Sequence, residues 1–345
     1  MSFLPYRCPM KEDIDFVLLW VDGNDEKWRK SKERWEKEYD IYTGSNGEER
    51  YRDWELFHYW FRAVEKFAPW VRNIYLVTCG QVPKWLNTNH PKLRLINHED
   101  YMDENCLPTF NSSAIEINLH KIDGLGEYFV YFNDDIILTH DVQPEDFFMG
   151  GKPIKSAAGF PIRNYPSNEV WSHNLFTMMG LANKYNWQQI IKKCPKKWFN
   201  YKYGKFLRHN WRMCRDSYMS GFYHVHFASP LRKSTLKKSN QEFMKEFDET
   251  SHNRFRNPYD ITQFLFKIHD IANNDFIPCS PFHYGIYYDM SKELNTLEEA
   301  IKTQRHMMVC INDTPEITKD IFEHAKKIIN AAFETILPEK SSFEI

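Results

Sequence analysis

The pattern begins with the apolar run Ile14-Asp15-Phe16-Val17-Leu18-Leu19-Trp20-Val21, closed by the turn residues Asp22-Gly23-Asn24-Asp25. A short apolar run bounded in this way predicts a strand buried on both faces. The charged stretch from Glu26 to Tyr39 predicts an exposed helix. Between Trp54 and Phe67, the residues Phe57, Trp60, Phe61, Val64 and Phe67 fall at helical spacing, which turns one face to a core, with Asp53 as N-cap. Strand patterns follow at Asn73 to Thr78 and Leu93 to Ile96, with the turn Gly80-Gln81-Val82-Pro83 between them. A helix capped by Asn111 or Ser112 is expected to run through Glu116 to Ile122 and to stop at Gly124. The next apolar run, Tyr128 to Leu138, reads as a buried strand with Asp134 and Asp135 in its middle.

Strand and helix in this order predict an α/β fold with a mostly parallel central sheet and flanking helices. Ligands of such sheets sit outside the carboxyl ends of the strands. The segments Asp22 to Asp25, Thr78 to Gln81 and Asn133 to Asp135 should therefore gather along one edge. From about Gly150 to Tyr223 the periodicity weakens and turn residues multiply, which reads as an inserted irregular or helical lid region. Helical patterns return at Leu231 to Phe247, Tyr259 to Ile271 and Pro315 to Leu337. The expected division is an α/β part over 1–150, an inserted lid region over 151–230, and a helical part completing a single domain over 231–345.

The 345 residues carry a net charge of −2, which gives no global attraction to nucleic acid or to an anionic surface. Seven widely spaced cysteines without a CxxC are neither a disulfide framework nor a zinc site. No apolar stretch near the start suits a signal peptide, and Ile14 to Val21 is too short to span a bilayer. A reduced, cytoplasmic protein is the expectation. Aromatic residues make up 16% of the chain, which serves either a well-filled core or surfaces that stack on sugars.

Asp134 and Asp135 pose the sharpest question, because two charges inside an apolar run need a compensating cation, an arginine or a reacting group. Successive strand residues point to opposite faces, so the pair can share a ligand only at a strand end or bulge. There it would suit Mg²⁺ (or Mn²⁺), which takes few carboxylates together with phosphate oxygens; the alternative is a solvated turn. Glu116 and His120 stand four apart on the expected helix, either as a surface pair or with Glu116 accepting a proton or holding a sugar hydroxyl. H-V-H-F-A-S-P places His224 and His226 on alternate positions, with no third ligand at zinc-like spacing. Arg256 lies in S-H-N-R-F-R-N-P-Y-D, just before a helix expected from Pro258. Nine lysines and arginines without a carboxylate run from Lys192 to Arg215 among Trp198, Phe199, Tyr201, Tyr203, Phe206 and Trp211. That mixture suits an anionic membrane surface or a pyrophosphate-bearing glycolipid, with nucleic acid ranked last. No Walker A, GxGxxG, HExxH or GxSxG motif occurs.

Taken together the segments resemble the Stealth family of sugar-1-phosphate transferases, which includes bacterial capsule and exopolysaccharide phosphotransferases and the animal GlcNAc-1-phosphotransferase. Four blocks carry the resemblance: I-D-F-V-L-L-W-V-D-G-N-D; Y-R-D-W-E-L through L-P-T-F-N-S-S-A-I-E to Y-F-N-D-D; H-F-A-S-P through F-D-E-T-S-H-N-R-F-R-N-P-Y-D; and C-I-N-D-T joined to L-P-E-K-S-S-F-E. The resemblance implies catalytic roles for Glu116, Asp135, His226 and Arg256, a substrate-binding role for Asp15, and one catalytic domain with 1–150 as its nucleotide-sugar-binding part and 151–230 as its acceptor-contact region. It implies a GT-A-like nucleotide-sugar fold, a divalent cation on Asp134 and Asp135, and substrate contacts from Trp20, Val21 and Gly23. Arg52, Asn111 and His120 are further substrate-binding candidates, whereas Asp22 carries no catalytic weight. The implied reaction moves a sugar-1-phosphate from a UDP-sugar to a glycan hydroxyl, releasing UMP. The acceptor would be a lipid-linked oligosaccharide or polysaccharide, in capsular or exopolysaccharide synthesis at the inner face of the membrane, with 192–215 as the membrane or acceptor contact. A glycosyltransferase releasing UDP and an inactive carbohydrate-binding module are the rivals.

Overall fold

Five strands form the central sheet, in the order Leu93–Asn97, Ile74–Thr78, Ile14–Leu19, Tyr128–Asn133 and Ser229–Arg232. The first half of the chain supplies β1 (Ile14–Leu19), β2 (Ile74–Thr78), β3 (Leu93–Asn97), β4 (Tyr128–Asn133), β5 (Ile136–Leu138), β6 (Phe148–Met149) and β7 (Lys152–Lys155). The second half supplies β8 (Ser229–Arg232), β9 (Ile277–Pro278) and β10 (Met308–Cys310). This computed structural model describes residues 12–39, 51–163, 170–313 and 317–345. Residues 1–11, with Cys8, as well as Thr314 and Pro315, lie outside the described residues.

β1 to β4 are mutually parallel, and β8 closes the edge antiparallel to β4, with Tyr131 opposite Ser229. Leu231, expected in a helix, is therefore in a strand; the helices follow as Lys233–Glu242 and Met244–His252. Side-chain alternation splits the sheet's apolar residues between two layers. Ile14, Phe16, Leu18, Val130 and Phe132 enter one core, while Val17, Leu19, Phe129 and Tyr131 enter the other. This double burial is why the strands read as continuous apolar runs. Each layer draws on distant parts of the chain, the first from Ile14 to Phe343 and the second from Val17 to Phe276.

The first layer contains α2 (Phe57–Phe67), following the exposed α1 (Glu26–Glu36), and the helix Lys319–Ile336. Trp60, Phe61, Val64 and Phe67 are buried as their spacing predicts. Asp53 does not cap α2; its carboxylate instead accepts the Glu55 N–H in the turn before it. The second layer holds α3 (Ser112–Ile117) and the helix Phe264–Ala272. That last helix starts six residues after Pro258, with Gln263 at its N-cap. Residues 170–213 are largely helical, and Trp187, Trp198 and Tyr203 are buried in the second core.

β1 and β4 are neighbours, yet the chain runs from β1 outward through β2 and β3 before returning to β4. This is the topological switch point at which open α/β sheets form a ligand crevice. The observed recess lies at the carboxyl ends of these strands.

Candidate active site

β4 ends at Asn133, and Asp134 and Asp135 form the turn before β5. The run that reads as one strand is thus two. β5 leaves the central sheet and pairs antiparallel with β10, which sets Cys310 opposite Ile136. At this turn both carboxylates can address one space. Asp135 Oδ2 lies 3.3 Å from His226 Nε2 and 3.5 Å from Cys310 Sγ. Its Oδ1 is buried without a hydrogen-bond partner.

A buried carboxylate oxygen left unpaired is costly, and a bound cation would satisfy it. Donor atoms of Asp135, His226 and Cys310 lie within 4.8 Å of one another, close enough to share an ion. Burial and the Asp135 charge push the Cys310 thiol well up, so it sits as an S–H donor rather than a thiolate. With the thiol protonated, the Asp135 carboxylate and a His226 ring nitrogen remain as the ready donors at the turn. Asp134 opens onto the recess while protein surrounds it; confinement first, and the Asp135 charge second, raise it to about 7. A cation would draw it back down.

His226 is held by Asn133 Nδ2, 3.1 Å from its Nε2. The contact follows from strand register, since the segment entering β8 runs beside the end of β4. Asn133 in turn accepts from the Tyr131 hydroxyl at 2.5 Å, and Tyr131 also bonds Glu116. A polar chain thus connects Glu116, Tyr131, Asn133, His226 and Asp135. Glu116 is buried in α3 and accepts the Gln263 N–H at 2.8 Å; burial outweighs that bond and lifts its carboxyl to about 7.

Arg256 donates to Ser112 Oγ at 3.0 Å. Asn111 makes this meeting possible: its Oδ1 caps α3 at Ser113 N, while its Nδ2 donates to Asn253 O (3.0 Å) and Asp260 (2.8 Å). Of the two residues expected to cap this helix, Asn111 does so. It is fully buried and serves as a strut behind the recess.

Glu116, Asp135, His226 and Arg256, from four separate segments, line a single recess of about 2870 Å³. Trp20, Val21, Gly23, Arg52 and Asp134 line it too, as do Asp22, Asp25, Cys79, Gly80 and Gln81. Gln81 ties the β1 and β2 loops together, accepting from Asp22 N (2.7 Å) and donating to Asp22 O (3.1 Å). Gly23 is required there, because a Cβ would stand 2.5 Å from the Tyr51 carbonyl oxygen. Arg52 Nη1 pins the segment after β10 through Ile317 O (2.9 Å) and Asp313 (3.3 Å).

Three expected substrate contacts lie outside the recess lining: the buried strut Asn111, Asp15 and His120. Asp15 is fully buried near the start of β1, the opposite end from the recess, and its carboxylate is gripped by the Arg72 guanidinium and the Gly126 N–H. Its charge is answered by Arg72, and it has no access to a ligand in the recess. His120 does not share a helical face with Glu116, because α3 ends at Ile117 and His120 sits in a separate 3₁₀ turn. Its ring is buried between Ile117 O (3.1 Å) and Asn240 (3.2 Å).

The reading from sequence passed over Tyr131, Asn133, Gln263 and, as individual residues, Cys310, Asn312 and Asp313. The last three had a visible signal. Met308-Val309-Cys310-Ile311-Asn312-Asp313 repeats the logic of Tyr131 to Asp135, an apolar strand ending in Asn-Asp at the same recess.

Among the described residues, ten carboxylate side chains line the recess against only Lys27, Arg52, Lys84 and Arg256. An α/β sheet whose switch-point recess gathers an acid turn, a histidine and an arginine brings together the groups of an active site. Three sequence regions match Stealth protein models: conserved region 1 over residues 12–40, conserved region 2 over 50–155 and conserved region 3 over 225–269. The capsular polysaccharide phosphotransferase WcwK of Streptococcus pneumoniae is 39% identical over 334 residues, covering 96% of this chain and 98% of its own. The exopolysaccharide phosphotransferase cps2G of Lactiplantibacillus plantarum is 39% identical over 339 residues, covering 96% of each. The receptor polysaccharide phosphotransferase WefC of Streptococcus gordonii is 36% identical over 342 residues, covering 97% of this chain and all of its own. The chain belongs to the Stealth family of phosphotransferases. Glu116 and Asp135 fall in the second matched region, His226 and Arg256 in the third.

Proposed function

We propose that the chain transfers a sugar-1-phosphate from a UDP-sugar to a hydroxyl of a growing surface polysaccharide, using a GT-A-like arrangement of its parallel sheet. The acceptor oxygen attacks the β-phosphorus, the bond from that phosphorus to the bridging oxygen breaks, and UMP leaves. The observation that carries this reading is the convergence of Glu116, Asp135, His226 and Arg256 on one recess otherwise dominated by carboxylates. Such a lining repels a diphosphate unless a cation intervenes. Mg²⁺ or Mn²⁺ would be held by Asp135 and Asp134 and would supply charge neutralisation at the phosphates. Incubation with a panel of UDP-sugars and a lipid-linked glycan should release UMP. Release of UDP instead would make the enzyme a glycosyltransferase and overturn the proposal.

Arg256 presents a planar fork suited to two phosphate oxygens. His226 takes the acceptor proton, with Asp135 Oδ2 3.3 Å away to receive the hydrogen bond once the ring is protonated. Glu116, when ionised, accepts the hydrogen bond of a sugar hydroxyl. Because its carboxyl is raised to about 7, it is neutral below that pH and charged above it. With the divalent ion saturating, kcat/KM should rise with pH through about 7. Glu116→Gln should lower the plateau and displace the acid limb, because the general base alone then sets it; an unchanged limb would remove Glu116 from this role.

The acceptor's lipid carrier gives the 192–215 segment a purpose. Among the described residues no helix is long and apolar enough to cross a membrane. Lys197 and Lys202 donate to the carbonyls of Asn274, Phe276 and Pro278, and the other seven basic residues of the segment are exposed. Tyr201 is 82% and Trp211 57% exposed beside them. Such a surface rests on anionic lipid headgroups at the cytoplasmic face, each basic side chain contributing about 1 kcal/mol. Replacing Lys192, Lys193, Lys196, Arg208 and Arg212 by Gln should reduce partitioning onto phosphatidylglycerol-containing vesicles by roughly tenfold or more. Unaltered partitioning would dismiss this contact.

A further inference from the structure

Across the sheet edge from β2 to β8, the recess changes character. The β2 and β1 loops come first, with Gln81, Trp20 and Gly23. The Asp134-Asp135 turn stands at the centre. The segment leading into β8, His224 to His226, bounds the other side. Against this last segment packs Trp171, from the helix Val170–Ala182, its ring 5.0 Å from that of His224 and tilted by 46°. His224 is in turn braced edge-on by Phe264 at 4.8 Å. Its Nε2 is buried and without a hydrogen-bond partner, and burial keeps the ring neutral.

Trp171 is nevertheless 38% exposed, and Tyr287, on the same recess, is 41% exposed. The Tyr287 hydroxyl accepts from Asn312 Nδ2 at 3.3 Å, next to Asp313 and the segment after β10. A large aromatic ring exposed inside a recess and backed by a rigid ring, as Trp171 is, is poised to be covered. Its indole offers an electron-rich face to the polarised C–H groups of a sugar. The recess also exceeds the roughly 300–1,000 Å³ that one small ligand occupies, which leaves room for a second molecule beyond the donor.

We infer that Trp171, backed by His224, forms a pyranose-stacking subsite that receives the acceptor sugar on the β8 side of His226. The inference rests on the proposed phosphotransfer for the word acceptor; the subsite itself is a binding claim. A sugar ring lying on Trp171 would bring its hydroxyl toward His226, two residues along from the ring that supports the indole. A ring at the Trp20 and Gln81 end would belong to the donor.

Saturation-transfer NMR on the full chain without donor tests it, using methyl β-galactopyranoside and methyl β-glucopyranoside as probes. The expected result is transfer to the C–H protons of one ring face. It should fall at least fivefold in Trp171→Gln and be largely kept in Trp171→Phe, which preserves a π face. Absence of transfer in the parent chain, or equal transfer in Trp171→Gln, overturns the subsite. Steady-state UMP release on the same samples separates the two claims. Trp171-dependent sugar binding in a chain that releases no UMP from any UDP-sugar would uphold the subsite and defeat the phosphotransfer reading. UMP release with Trp171-independent sugar binding would do the reverse.

Discussion

Asp135→Asn should reduce turnover by a factor on the order of 10³, equivalent to about 4 kcal/mol of lost transition-state stabilisation. The substitution keeps the shape of the side chain and removes its charge. It replaces one of two acceptor oxygens with an amide donor at the point where Oδ1 is buried and unpartnered. A cation seated there would lose a ligand, and the carboxylate-rich recess would lose the means to accept a diphosphate. The concentration of Mg²⁺ giving half-maximal rate should rise in parallel, and Mn²⁺ binding followed by electron paramagnetic resonance should weaken without any turnover measurement. Full activity with an unchanged ion requirement would sink the assignment of the acid turn.

His226→Ala should cost between about 10² and 10⁴ in kcat, the range for removal of a positioned acid–base group. KM for the donor should move far less, because the proposed arrangement assigns the diphosphate to Arg256 and the acid turn. Added imidazole should restore part of the rate if the missing function is proton transfer. A base leaves no covalent trace, so the parent enzyme incubated with β-phosphate-labelled donor alone should carry no label on protein. A trapped phosphohistidine at position 226 would make the residue a nucleophile instead. Near-normal kcat in His226→Ala would remove it from the chemistry altogether.

Much of this arrangement was legible in the chain. Double-sided burial makes parallel strands read as apolar runs, so β1, β2 and β4 and the edge where the site lies follow from pattern alone. The two adjacent acids were a legible anomaly, and the turn between β4 and β5 resolves it: they stand at a strand end. Asp15 misled for a physical reason. A buried carboxylate reads the same in sequence whether a ligand or an arginine compensates it, and only the fold shows Arg72 arriving from 57 residues away. His120 misled because spacing of four implies a shared face only if the helix continues, and Asn118 ends α3 before that. Tyr131 and Asn133 escaped notice because their importance lies in cross-strand register with the segment entering β8, which no local pattern encodes. Leu231 read as helix because a four-residue edge strand is shorter than the periodicity needed to reveal it.

β10 pairs with β5 immediately beside the acid turn and delivers Cys310 against Asp135 and Asn312 and Asp313 to the recess. The centre is consequently completed by a strand 175 residues away from the acid turn along the chain. A fragment holding β1 to β4 alone would lack the wall on which Asp135 leans, so the sheet can form without the site that it carries.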